Sequence, residues 1–183
     1  TSPGSTRNYA YGGAEAVPSD DGLSPPDLPT QLALFLTDPS LVKGARPLVG
    51  LWFGANDIFN AITSGGDAET AGTNAANAVL GAIQTIAAST IVRDFVVLNL
   101  PNLGQTPAFF GSSDATNATT AFNDTLAAGL APLERALNIY DIDVFSLFAD
   151  IVNGALDIGV NQVALPCVIG TSYCGPVEAQ NRL

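Results

Sequence analysis

Apolar and polar positions alternate along this chain in blocks, and the period changes from block to block. Residues 47–53, Pro-Leu-Val-Gly-Leu-Trp-Phe, are apolar at consecutive positions and stop abruptly at Gly54-Ala55-Asn56-Asp57. Such a run reads as a short strand buried on both faces, with Trp52 in the core. Residues 94–100 repeat the pattern and are halted by Pro101, and residues 139–144 give a third strand whose exposed end carries Asp141 and Asp143. Residues 8–14 read as one more short strand, ending in a Gly12-Gly13 turn. Elsewhere the apolar spacing shifts to three and four, the period of a helix face. It predicts helices over 28–37, 67–89, 114–137 with Pro132 as a kink or break, and 145–156. The stretches 18–29, 54–66 and 101–113 read as loops rich in Gly, Pro and polar residues.

Strands that are apolar on both faces and alternate with helices predict an α/β domain with a mainly parallel sheet covered by helices on both sides. Ligands of such sheets bind beyond the carboxyl ends of the strands. Gly12-Gly13, residues 54–57 and Asn99-Leu100-Pro101 all fall at such ends, which makes that rim the candidate site.

Composition narrows the picture. The 183 residues fit one domain spanning 1–183, and 47% hydrophobic against 13% charged residues marks a folding chain. A formal charge of −11 repels phosphate backbones and argues against nucleic acid as a partner. The apolar runs fall short of the roughly 20 residues of a membrane helix. Cys167 and Cys174 lie in a loop-like setting with Gly170 and Gly175, where a disulfide is favoured over free thiols and implies an oxidising compartment. Zinc is disfavoured, because no histidine and no further cysteine exist to complete four ligands. No cofactor or metal is expected.

The rim residues have plain readings of their own. Gly13 serves as a turn glycine, Asn56 as a local turn former, and Asp57 as a helix N-cap or a support for its neighbours. A side-chain amide at a strand end and a glycine N–H aimed into a cleft also form the pair of donors that stabilises an oxyanion. Together, Asn8-Tyr9-Ala10-Tyr11-Gly12-Gly13-Ala14 and Gly54-Ala55-Asn56-Asp57 resemble the second and third conserved blocks of the SGNH (GDSL) serine esterases and lipases. Residues 98–107 resemble the proline-bearing strand end of their secreted bacterial members, and the Cys167–Cys174 loop resembles the cysteine segment before their last catalytic block.

The resemblance implies a flavodoxin-like three-layer α/β/α sandwich and hydrolysis of carboxylic esters of lipid or small acyl substrates. It places Gly13 and Asn56 in the oxyanion hole, Gly54 where a loop approaches substrate, and Asn99 and Pro101 in the cleft wall. It also implies a secreted, periplasmic or cell-surface bacterial protein. The family's Gly-Asp-Ser nucleophile block and Asp-x-x-His base block are absent, and with no histidine in the chain no Ser-His relay exists within it. A domain truncated at both ends, without its first strand and last helix, is the simplest account. Missing blocks held on a complementing chain, or a degenerate cleft, are the others. Without a central strand the isolated chain is expected to be poorly soluble or partly unfolded. A non-catalytic α/β binding module and a carbohydrate O-deacetylase on the same scaffold remain alternatives. The resemblance also leaves room for a membrane tether outside the chain.

Overall fold

A computed structural model describes residues 7–18, 25–38, 46–156, 158–159, 164–166, 168–169 and 172–173. The elements run α1 (Leu28–Leu36), β1 (Leu48–Leu51), α2 (Ala55–Ser64), α3 (Ala68–Ser89), β2 (Asp94–Leu98), α4 (Ser113–Leu133), β3 (Asn138–Ile142), α5 (Val144–Val152), β4 (Val168–Ile169) and β5 (Ser172–Tyr173). Two single 3-10 turns, Leu103–Gln105 and Pro107–Phe109, lie between β2 and α4. β1, β2 and β3 form a parallel sheet in that spatial order, and β4 and β5 pair as a separate antiparallel ribbon. The fold is therefore α/β with a parallel three-stranded sheet.

The helices start and stop where local chemistry dictates. Asp67 caps α3 by accepting from the Thr70 N–H, Ser112 caps α4 through Ala115, and Asp143 caps α5 through Ser146. At the other end of α3, the Arg93 guanidinium donates to the carbonyls of Ala87, Thr90 and Val92, satisfying acceptors the helix leaves open. Pro132 sits one residue before the end of α4, so it closes the helix instead of breaking it. Arg46 and Asn138 both donate to the buried Asp94 carboxylate, at 2.7 and 2.9 Å, tying the starts of the three strands together.

Register assigns the two faces of the sheet. Val49 and Leu51 lie level with Phe95 and Val97, and Ile139 with Phe95, so these side chains share one face. That face meets Ile58 of α2, Val79, Ile83 and Ile86 of α3, Phe122 and Leu126 of α4, and Leu28 and Phe35 of α1 in a single apolar cluster. Each fully buried large side chain there contributes about 1.5–3 kcal/mol. The opposite face carries Leu48, Gly50, Val96, Leu98, Tyr140 and Ile142, and among the described residues no helix covers it. Leu48 is 59% and Tyr140 54% exposed. Handedness explains the asymmetry. α3 and α4 carry the chain from β1 to β2 to β3 in one direction, and right-handed crossovers taken in one direction place both helices on the same side. The described residues thus supply two layers, an arrangement compatible with a three-layer sandwich once the second face is covered.

Several expectations are corrected. Residues 8–14 form no strand, since no sheet neighbour pairs with them among the described residues. Residues 55–64, read as loop, form α2, with Ile58 and Ile62 on one face and Gly65 in the left-handed conformation that ends it. Trp52 is 57% exposed rather than core, because it follows β1 at the uncovered side, and its indole N–H donates to the Asn99 carbonyl. Asp143 belongs to the cap of α5, not to β3. Cys167 and Cys174 lie outside the described residues.

The apolar face and the outer β1 edge that the described residues leave open predict how the 183-residue chain behaves alone. It is expected to bind an apolar dye and to elute well above its 18.7 kDa mass at micromolar concentration. A dye-silent monomer with a sharp melt at about 45–65 °C would show that the chain covers this face itself.

Candidate functional site

The carboxyl ends of β1 and β2 bring five of the predicted residues to one rim. β1 ends at Leu51, and the chain turns into α2 through Gly54, whose φ of 109° no ordinary side chain tolerates well. A Cβ at Gly54 would also strike the Phe122 ring. The absence of a side chain there serves close packing of α2 against α4. Asn56 and Asp57 follow in the first turn of α2 and point back to the segment after Gly13.

That segment is held by three side chains. Asn56 donates its Nδ2 to the Ala14 carbonyl at 2.8 Å. Asp57 accepts from the Ala16 N–H at Oδ2 and from the Val17 N–H at Oδ1, each at 2.9 Å. Asp27, the residue before α1, accepts from the Glu15 N–H at 2.9 Å, and the Glu15 carbonyl accepts from Leu28 at 3.0 Å. Backbone groups from Ala14 to Val17 are therefore satisfied by partners 12 to 42 residues away, at the start of α1 and in α2. Ala14, Glu15 and Ala16 are buried, while Gly12 and Gly13 stand exposed just before them, Gly13 with a φ of 83°. Gly13 is thus one residue from the carbonyl that Asn56 grips. Its own N–H makes no hydrogen bond among the described residues.

Asp57 is almost wholly buried. Burial pushes its carboxyl above the ordinary carboxylate range, and the Asp27 charge adds to that, against the pull of the Ala16 and Val17 N–H groups. The position at the start of α2 also favours a negative charge.

Asn99 and Pro101 stand at the adjoining end of β2. Asn99 is anchored there at three groups: Nδ2 donates to Asp143 at 2.9 Å, Oδ1 accepts from the Phe145 N–H at 2.9 Å, and its carbonyl receives the Trp52 indole. The hydroxyl and N–H of Ser146, helped by the Asn99 amide, hold the Asp143 carboxyl below its usual range. Asn99 therefore braces the rim to α5. Asn123 of α4 brackets Leu100 just before Pro101, accepting from its N–H and donating to its carbonyl, both at 2.9 Å. Nothing in the pattern around Asn123 announced that bracket, because the partners are 23 residues apart. Phe109 stacks on Phe59 with centroids 4.7 Å apart, which is packing, while Phe110 is exposed.

No protein-family model matches this chain, and no curated protein matches it. Among the described residues there is no group of three or more His, Cys, Asp or Glu placed to hold a metal, and no helix is long and apolar enough to cross a membrane. A shallow hollow of about 320 Å³, lined by Arg46, Leu48, Asp94 and Tyr140, lies at the strand starts on the bare face, the opposite end of the sheet from the rim.

Proposed function

We propose that this chain is the middle portion of an SGNH-type serine ester hydrolase with a three-layer α/β/α fold, and that Gly13 and Asn56 form its oxyanion hole. The observation that carries the reading is the pairing of these residues at the carboxyl rim, with donors to spare. An amide nitrogen has two hydrogens. Asn56 spends one on Ala14, which fixes the plane of the carboxamide and leaves the second to face a ligand. The Gly13 N–H, likewise unspent, supplies the second donor.

Ester hydrolysis then proceeds as follows. A serine outside these 183 residues loses its proton to a histidine, also outside them and oriented by an aspartate, and attacks the ester carbonyl. As the carbonyl carbon becomes tetrahedral its oxygen gains negative charge, and the two preset donors bind that charge better than they bind the ground state. The alcohol leaves with a proton from the histidine, and water releases the acid by the same path in reverse. The open edge of β1 and the bare sheet face support a further strand and helix from the missing portion, on the same chain or a complementing one. The substrate is an ester of a lipid or small acyl group, and the setting is extracytoplasmic.

The absence of histidine in the sequence favours a second reading, a non-catalytic α/β binding module. A carbohydrate O-deacetylase is the third, decided by an acetylated-sugar assay beside nitrophenyl esters of graded length. Flanking coding sequence that encodes Gly-Asp-Ser upstream and Asp-x-x-His downstream supports the esterase, and its absence supports the module. The 183-residue chain alone is expected to resist covalent labelling by a fluorophosphonate, which needs an activated serine. Labelling would mean that the nucleophile lies within the chain.

A further inference from the structure

We propose that Asp57 is the positioning residue of the rim: by gripping the Ala16 and Val17 N–H groups it sets where the Gly13 N–H points. The inference rests on the oxyanion reading of Gly13 and Asn56, and it names the group that controls one of those two donors.

Gly13 has no side chain to lock its orientation, and its backbone occupies a left-handed region with little intrinsic preference over others. A donor that stabilises developing charge must already be aimed when the charge appears, since a displacement near 1 Å costs about 10²-fold in rate. The aim therefore has to come from the residues that follow. Asn56 holds one point, the Ala14 carbonyl, about which the segment can still rotate. Asp57 adds two more points, three and four residues beyond Gly13, using both oxygens of one rigid carboxylate. Three points on one short segment, all supplied by two consecutive residues of α2, leave it no rotation. Asp27 fixes the Glu15 N–H from the side of α1.

Asp57 makes these bonds as an acceptor at both oxygens, which is possible only for the ionised carboxylate; a protonated carboxyl keeps one good acceptor and turns the other into a donor facing a donor. The other acidic group bearing on it is Asp27, whose charge favours protonation, while Glu15 is buried on the gripped segment itself. Burial raises the Asp57 titration, so proton uptake begins above the ordinary carboxylate range. The sign for stability is the reverse of the usual carboxylate case. A raised folded-state value means that Asp57 favours the fold most when protonated, so acidification frees the segment without unfolding the domain through this group.

The test uses the full-length protein labelled with 15N at glycine, alanine and valine and with 13C at the aspartate carboxyls. On titration from neutral to mildly acidic pH, the Gly13, Ala16 and Val17 amide signals are expected to move on one curve with the Asp57 carboxyl carbon, while Gly81 in the middle of α3 stays still. Asp57→Asn, which keeps one acceptor, is expected to shift the Gly13 signal at neutral pH and lower kcat on a nitrophenyl ester about 10²-fold with KM unchanged. A Gly13 signal that ignores both the titration and the substitution, while Ala16 and Val17 respond, overturns the proposal. If Asp57→Asn fails to fold, the titration of the unsubstituted protein decides alone. Absence of any ester hydrolysis removes the oxyanion reading, yet leaves the coupling of Gly13 to Asp57 readable from the spectra.

Discussion

Replacing Asn56 with alanine in the full-length protein is expected to lower turnover of a nitrophenyl ester by about 10²–10³-fold, or roughly 2.7–4 kcal/mol of transition-state stabilisation. KM should change little, because the lost donor acts on charge that exists only as the reaction proceeds. The same substitution removes the bond to the Ala14 carbonyl, which costs about 1 kcal/mol of stability, so a denaturation curve must accompany the kinetics. Asn56→Asp keeps the shape but also lacks both donors and sets a carboxylate against the Ala14 carbonyl, so turnover should fall at least as far and the denaturation curve should move further. A turnover within twofold of the parent in either variant removes Asn56 from the mechanism.

The second large effect is structural. Phe122→Ala is expected to destabilise the fold by about 3–5 kcal/mol, measured by urea denaturation of the full-length protein. Phe122 is completely buried, and its ring lies against Gly54, where the chain enters α2. Gly54→Ala should cost about 1–3 kcal/mol through overpacking against that ring, with backbone strain at positive φ in addition. In the double variant the ring is gone and the new methyl group has room. Its cost should therefore fall short of the sum of the two by about 0.5–3 kcal/mol. Strict additivity would mean that Gly54 is needed for its backbone angle alone.

How much of this was legible in the sequence depends on the range of the interaction. β2 and α3 are placed to within a couple of residues because their signals are local: consecutive apolar positions stopped by Pro101, and Val79, Ile83 and Ile86 at helical spacing behind the Asp67 cap. Two of the three expected rim segments were readable as strand ends, those after β1 and β2, while residues 8–14 reach the rim without forming a strand. α2 was hidden because Asn56, Asp57, Asn60, Thr63 and Ser64 make half of it polar and Gly54 and the Gly65-Gly66 pair flank it, although Ile58 and Ile62 stand four apart. The exposure of Trp52 was not readable at all. An apolar run does not say which of its faces is covered, and that depends on the order of strands in the sheet. The bonds of Asp57 to Ala16 and of Asn123 to Leu100 join partners 41 and 23 residues apart, and no local pattern records them. The packing of Gly54 against Phe122 was hidden for the same reason, since Phe122 comes from α4.

The strand order has one more consequence, for the birth of the chain. Each strand is laid beside the one made just before it, so the sheet can assemble stepwise as it leaves the ribosome, with little waiting between partners. The Gly13 segment is the exception. It emerges early and stays unclaimed until Asn56 and Asp57 follow about 40 residues later, so the rim is finished after its own first half has long been synthesised.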